Sequence, residues 1–325
     1  MDGNRILVTG ATGFVGRRLV ADLLARGHAV TSAARRPPAN PAGGASNVLV
    51  GEIGPDTDWA GALAGVRAVV HLAAHVHVAP ERADAEAAIF DRVNHLGATR
   101  LFAAAEEGGV RLFVFVSTVA VLGAESGPSP FTEATPPAPD TPYARSKLAA
   151  ERALADRSRG GGPTLVVLRP PLVCGPGVKG NLASLIRLAA SPLPLPLAGV
   201  RNRRTLLSLD NLAGAIMAVL ERPQGGFEPA FYNLGDASPL STTEIVRAIG
   251  EGLGRQPRLF AVPPRLARGA AAALGREGLH QRLFGNLEVD SSAFRHAYGW
   301  RDIVETRTSL AEAARRQIAE RGGTR

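Results

Sequence analysis

Apolar residues in the first half of the chain follow two rhythms. Ile6, Leu7 and Val8 form a short unbroken run, after which Val15, Leu19, Val20, Leu23 and Leu24 recur at the spacing of one helix face until Gly27 closes the pattern. The same alternation then repeats: apolar runs at 30–34, 48–50, 68–73 and 112–116 read as strands, and stretches at 58–64 and 81–107 read as helices. The longer helical stretch carries an apolar stripe at Ile89, Val93, Leu96 and Leu101 and is closed by Gly108 and Gly109. Strand alternating with helix predicts a parallel sheet with crossover helices on both faces, a doubly wound α/β fold. The run at 112–116 is so apolar that it belongs inside that sheet. Beyond Gly180 the alternation breaks up, with prolines at 192, 194 and 196 and short segments. Helices are expected there at 209–220, from the capping box Ser241 to Glu244 through about 252, at 268–274 and at 303–318.

A chain of 325 residues, 45% apolar, can bury a large core. No run approaches the roughly 18 uninterrupted apolar residues that a membrane span requires. The N-terminus passes almost directly into a strand, so no signal peptide is expected and the expected compartment is cytoplasmic. The single cysteine, Cys174, excludes an internal disulfide and a thiolate metal cluster. The net charge of +8 raises the question of nucleic acid, but the arginines are scattered and only 5% of residues are aromatic, too few for stacking platforms. A diffuse positive field suits a small anionic substrate equally well.

Between the first strand and the first helix stand Gly10, Gly13 and Gly16. A strand turning through glycines into a helix aims unpaired backbone N–H groups at whatever lies over the turn, and the helix dipole favours an anion there. The expected anion is a dinucleotide pyrophosphate, although the G-x-x-G-x-x-G spacing differs from the commoner fingerprint and could also serve a tight turn alone. The second strand ends at Arg35-Arg36, where an acid would hold a ribose 2′-hydroxyl. Arginine there favours NADP over NAD, unless the pair is only a solvated loop. His71, His75 and His77 cluster, but no carboxylate or cysteine completes a ligand set and no metal is expected.

The strand at 112–116 delivers Ser117 and Thr118 to its C-terminal end, the edge at which open α/β sheets bind ligands. A proline-rich loop then leads to Tyr143-Ala-Arg-Ser-Lys147. On a helix this spacing puts the phenol and the ammonium one turn apart on the same face. A free phenol has a pKa of about 10, and a neighbouring ammonium together with the positive nicotinamide of an oxidised cofactor should draw it down toward useful acid/base chemistry.

With these motifs in this order, the chain resembles an extended short-chain dehydrogenase/reductase of the NAD-dependent epimerase/dehydratase family, in the branch of nucleotide-sugar 4-epimerases and 4-keto-sugar reductases. The resemblance is carried by TGATGFVG at 9–16, HLAA at 71–74, Asn94 with Gly97, Ser117-Thr118, YARSK at 143–147 and LRPPLVCGPG at 168–177. It continues through NRRTLLSLDNL at 202–212 and YNLG at 232–235. It implies a Rossmann dinucleotide-binding domain over 1–170, with 205–222 returning to it, and a smaller mixed substrate-binding domain over 171–325. It also implies Tyr143 as acid/base, Lys147 as its partner and a nicotinamide-ribose contact, and Thr118 on the substrate hydroxyl. Cofactor contacts fall by the same resemblance on Gly10, Thr12, Gly13, Phe14, Val15, Gly16, Arg35, Arg36, Glu52, Ile53, Leu72, Ala73, Ala74, Asn94 and Pro170, and substrate contacts on Asn181 and Arg204. Leu122 and Cys174 stand where many sugar epimerases carry tyrosine, and Glu52 replaces the usual aspartate. The implied reaction is hydride transfer at C4 of a nucleotide-activated hexose, by 4-keto reduction or 4-epimerisation, in a homodimer, with no nucleic-acid or membrane partner. Two rivals stay open: a ketoreductase of an apolar substrate, and a silent NADP-sensing regulator.

Overall fold

The computed structural model describes residues 5–36, 43–76, 85–222 and 228–322. The chain enters through β1 (Arg5–Thr9), turns through the glycines into α1 (Phe14–Ala25), and returns as β2 (Ala29–Ala34) and β3 (Ser46–Leu49). The short α2 (Ala60–Leu63) precedes β4 (Val66–His71). The expected helix over 81–107 is α3 (Ala87–Phe90), a π segment at Asp91–Leu96 and α4 (Gly97–Glu107); residues 81–84 lie outside the described residues. Next come β5 (Leu112–Val116), α5 (Pro142–Arg159) and β6 (Thr164–Arg169).

The π segment corrects the apolar stripe read from the sequence. Its wider turn shifts the register, so the inward face runs through Phe90, Asn94, Gly97, Ala98, Leu101 and Phe102, while Ile89 and Leu96 are left exposed.

The later elements are β7 (Leu172–Cys174), α6 (Gly180–Ala190), β8 (Leu195–Ala198), β9 (Leu206–Ser208), α7 (Leu209–Glu221) and β10 (Ala230–Asn233). They continue through α8 (Thr242–Gly252), β11 (Leu259–Ala261), α9 (Pro264–Ala273), α10 (Glu277–Phe284), α11 (Ser292–Tyr298) and α12 (Thr306–Gly322). Seven strands form one sheet in the order β10-β6-β5-β4-β1-β2-β3, every pairing parallel. β5 lies inside it, between β4 and β6. β10 joins its edge although a boundary at 170 puts that strand with the other half of the chain.

On one face, α1 and α7 bury Leu19, Val20, Leu23, Leu212 and Ile216 against β1 and β5, and Arg18 pairs with Asp210 between the two helices. On the other, Leu101, Phe102 and Leu154 pack with Trp59. A separate core of Leu182, Ile186, Val246, Ile249, Leu310 and Ala314 holds the C-terminal part, which carries the two-stranded sheets β7-β9 and β8-β11. The strand order reverses between β1 and β4, and in such sheets the ligand crevice opens at that switch point, beyond the C-terminal strand ends.

Candidate active site

At the switch point the backbone itself is shaped for a ligand. Gly10 adopts φ +66°, and a Cβ placed on it would meet the Ala73 nitrogen at 2.8 Å and its Cα at 3.0 Å, so the loops after β1 and β4 touch because residue 10 has no side chain. The loop closes through Gly13 N–H to the Gly10 carbonyl at 2.8 Å, and the Arg17 guanidinium donates to the Thr12 carbonyl at 2.8 Å. No side chain caps the start of α1 and its first turn holds no acid, so neither competes for the first N–H groups of the helix. Thr12 and Gly13 are exposed, Phe14 and Val15 half-buried, and Gly16 is buried inside the turn.

Arg35 and Arg36 are both exposed where β2 ends. Arg35 Nη1 lies 3.2 Å from Glu52 Oε2, so two residues expected near the adenosine are brought together as an exposed ion pair. Ile53 is buried beside Gly97, where a Cβ would strike the Ile53 side chain.

The loop after β4 is fixed by a relay that the sequence did not announce. Ala73 N–H donates to Thr9 Oγ1 at 3.2 Å, and the same hydroxyl hydrogen-bonds His71 Nδ1 at 2.7 Å. The His71 ring is fully buried and stacked on Phe115 at 5.8 Å. Burial, and then the Lys147 charge, push its pKa down to about 3, so it is neutral. The unfolded chain therefore takes up a proton at His71 that the folded chain refuses, and stability is lost as pH falls through the unfolded value near 6.5 toward 3. We expect this residue to remove about 2 kcal/mol between pH 7 and pH 5, and His71→Gln to flatten that part of the curve in urea titrations. Parallel curves for the two proteins would reject the assignment. His75 pairs with Glu86 at 2.8 Å, and His77 lies outside the described residues. Among the described residues no three metal-ligating side chains come together.

Tyr143 stands on the first turn of α5, which Thr141 caps by accepting the Ala144 N–H at 3.1 Å and Pro142 starts with its preset φ. Asn94 ties this turn to the loop after β4. Its Oδ1 accepts from His75 N–H at 2.8 Å, its Nδ2 donates to Ser146 Oγ at 3.1 Å, and Ser146 Oγ donates to the Tyr143 carbonyl at 2.8 Å. The Tyr143 ring meets Phe90 edge-on at 6.1 Å. The amide of Asn94 is thus built into the frame of the site.

Lys147 is 2% exposed, and its ammonium sits 4.1 Å above the Phe115 ring. Burial drags its pKa down to about 7, opposed by the Glu151 carboxylate one turn on. Burial, with the Phe90 ring alongside, pushes the Tyr143 phenol up to about 12, while the expected fall rests on the oxidised nicotinamide as well as on Lys147. Thr118, at the end of β5, accepts the Ala120 N–H at 3.2 Å and remains half-buried at the sheet edge.

Behind Lys147 lies a pair that the sequence reading missed. Arg169 Nε and Nη2 reach Glu151 Oε1 and Oε2 at 3.0 and 2.6 Å, both residues almost fully buried. The available signal was spacing: Glu151 follows Lys147 by four residues, as Lys147 follows Tyr143.

The residues expected on the substrate side are arranged unevenly. Asn181 is exposed in the first turn of α6, after exposed Lys179. Arg204 turns inward and donates to the Gly285 carbonyl at 3.0 Å, burial lowering its pKa while Glu125 raises it. Arg203 is held by Glu288 at 2.6 Å. Pro170 is buried, its carbonyl accepting from Val119 N–H at 3.0 Å. Leu122 and Cys174 are buried, and burial pushes the Cys174 thiol up to about 12, which makes it inert.

Known proteins resemble this chain along nearly its whole length. The profile of the NAD dependent epimerase/dehydratase family matches residues 6–235. The UDP-glucose 4-epimerase of Vibrio cholerae is 32% identical over 298 residues, covering 91% of this chain and 90% of that protein. A 3-beta-hydroxysteroid dehydrogenase of Mycolicibacterium neoaurum is 27% identical, covering 96% and 90%. Among solved structures, MoeE5 in complex with UDP-glucose and NAD superposes with a TM-score of 0.78 at 26% identity, over 97% of this chain and 99% of that one.

Proposed function

Because the chain belongs to the NAD-dependent epimerase/dehydratase family of extended short-chain dehydrogenases/reductases and is an enzyme of that type, we propose that it transfers hydride at C4 of a nucleotide-activated hexose. The observation that carries this reading is the frame at the switch point: Asn94 and Ser146 tie the Tyr143 turn to the loop that meets Gly10, so proton donor and pyrophosphate cradle are parts of one bonded unit.

The dinucleotide, when bound, supplies the hydride acceptor and donor. The chain holds it through the glycine loop from Gly10 to Gly16, with Leu72, Ala73, Ala74 and Pro170 along its length, Ile53 and Glu52 at the adenine end, and Arg35 and Arg36 at the ribose. The arginine pair favours NADP over NAD. Tyr143 gives its phenolic proton to the oxygen at C4 in reduction and recovers it in oxidation. Its raised pKa keeps it protonated at rest, which suits the donor role. Lys147, one turn on, supplies positive charge in its protonated form, and Thr118 hydrogen-bonds the same oxygen. Asn181 and Arg204 contact the nucleotide sugar. The division into a dinucleotide-binding part over 1–170, joined by 205–222, and a substrate-binding part over 171–325 belongs to the same proposal. So does a cytoplasmic homodimer packed through the helices bearing Asn94 and Tyr143, where Ile89 and Leu96 are exposed.

A second reading keeps the hydride transfer and replaces the sugar by an apolar ketone. It is favoured by the engagement of Arg203 with Glu288 and of Arg204 with Gly285, which leaves fewer cations for a diphosphate. One experiment separates the two: mass spectrometry of the co-purifying cofactor, then turnover assays with UDP-hexoses, 4-keto nucleotide sugars and steroid ketones. We expect turnover of nucleotide sugars and a lower Kd for NADP than for NAD, the difference shrinking in Arg35→Gln/Arg36→Gln. Turnover of steroid ketones alone rejects the sugar. An unchanged NADP preference in the double variant rejects the role of the arginines.

A further inference from the structure

The hairpin of α9 and α10 buries no residue, whereas α8, of similar length, buries Ile245, Val246, Ala248 and Ile249. Leu266 is 65% exposed and Leu274 71% exposed, and with exposed Ala270 and Ala273 they recur at the period of one helix face. Phe260 before this stripe and Leu279 after it are exposed as well. The flanking charge is of one sign. Arg265, Arg268, Arg276 and Arg282 are all exposed, and Glu277 is the one acidic residue between 264 and 284. The root of the hairpin is firmly held: Asn202 Nδ2 donates to the Leu283 and Gly285 carbonyls at 3.2 and 2.9 Å, and the Thr242 hydroxyl to Leu283 at 2.7 Å.

We propose that the α9–α10 hairpin docks the enzyme on an anionic membrane surface, the stripe at Leu266 and Leu274 entering the headgroup region while the arginines bind lipid phosphates. A ten-residue helix is far short of the roughly 20 residues needed to span a bilayer, so the hairpin lies on the surface. A second copy of the chain is the weaker occupant, because a two-fold contact through this face would bring its arginines against their own copies with a single glutamate to offset them. An anionic lipid surface meets the apolar stripe and neutralises the arginines that border it, Arg265 beside Leu266 and Arg276 just beyond Leu274, while Arg268 falls on the far side of α9.

The test is co-sedimentation of the full chain with vesicles of phosphatidylcholine alone and of phosphatidylcholine with about 30 mol% phosphatidylglycerol. Binding to the anionic vesicles is expected to be tighter by about tenfold or more and to weaken as salt rises. Leu266→Glu/Leu274→Glu and Arg265→Gln/Arg276→Gln should each weaken it by about tenfold, with thermal melts and vesicle-free sedimentation unchanged. Equal binding to both vesicle types, no binding to either, or undiminished binding by the double variants overturns the proposal. A dimer that Leu266→Glu/Leu274→Glu dissociates assigns the face to a second copy instead.

Discussion

Tyr143→Phe is expected to lower kcat by about a thousandfold, within the range that a positioned proton donor contributes, while leaving the dissociation constants of dinucleotide and substrate within about twofold. The substitution is clean because the phenolic oxygen is the only thing removed. The ring still meets Phe90 edge-on, the Ser146 hydroxyl still donates to the main-chain carbonyl of residue 143, and the Thr141 cap lies outside the change. Burial, which pushes the phenol up to about 12, penalises its charged form, so an apolar replacement costs the resting fold little. Steady-state turnover, dinucleotide titration and a thermal melt on the same preparation test this together. Retention of kcat within tenfold, with the fold intact, would remove Tyr143 from the chemistry, whereas a lost melt would show that the ring is structural.

The parts of this molecule that were legible in the sequence are those written in local pattern. The run at residues 6–8, the glycines after it and the helical spacing from Val15 to Leu24 correspond to β1, its turn and α1. The capping box at Ser241 and Glu244 opens α8 with both reciprocal bonds present. What periodicity could not show was decided by contacts between distant segments. The stripe at Ile89, Val93 and Leu96 presumes 3.6 residues per turn, and the π segment at Asp91–Leu96 breaks that count just where the Asn94 amide must reach both His75 and Ser146. β10 is too short to reveal from pattern which sheet it joins.

The site divides along the same line. The placement of Tyr143 and Lys147 one turn apart on α5, and of Gly10 in the turn after β1, was legible from spacing, because one helical turn or one loop fixes it. The Thr9–His71 relay and the Glu151–Arg169 pair each join separate elements, and nothing local marks them. The burial that pushes the Tyr143 phenol up to about 12, with Phe90 from another element against its ring, is likewise nothing that spacing could show.

Gly16→Ala is expected to abolish dinucleotide binding, raising Kd by about a hundredfold or more, and to lower stability by about 1–3 kcal/mol, the usual cost of overpacking a tight interior. Gly16 lies in the first turn of α1, where its backbone is ordinary helix and an added methyl group brings no dihedral strain. The difficulty is space. A Cβ there runs into the Gly10 carbonyl oxygen and would lie 2.7 Å from the Ala11 Cα and 2.9 Å from its carbonyl carbon. All three are backbone, so no side chain can swing aside. Either α1 or the loop must shift, and the loop is constrained on its other side, because Gly10 already touches the Ala73 nitrogen and Ala73 is held by Thr9. The N–H groups at the start of α1 would then no longer converge on one pyrophosphate. Gly61→Ala is the matched control: it sits in α2 with nothing within 4 Å of an added Cβ, and is expected to be neutral or to stabilise by about 0.5–1 kcal/mol through helix propensity. Calorimetric titration with NAD and NADP, alongside urea unfolding of both variants, separates the outcomes. A Gly16→Ala protein that binds dinucleotide as tightly as the unaltered chain would show that the first turn of α1 is not where the pyrophosphate rests.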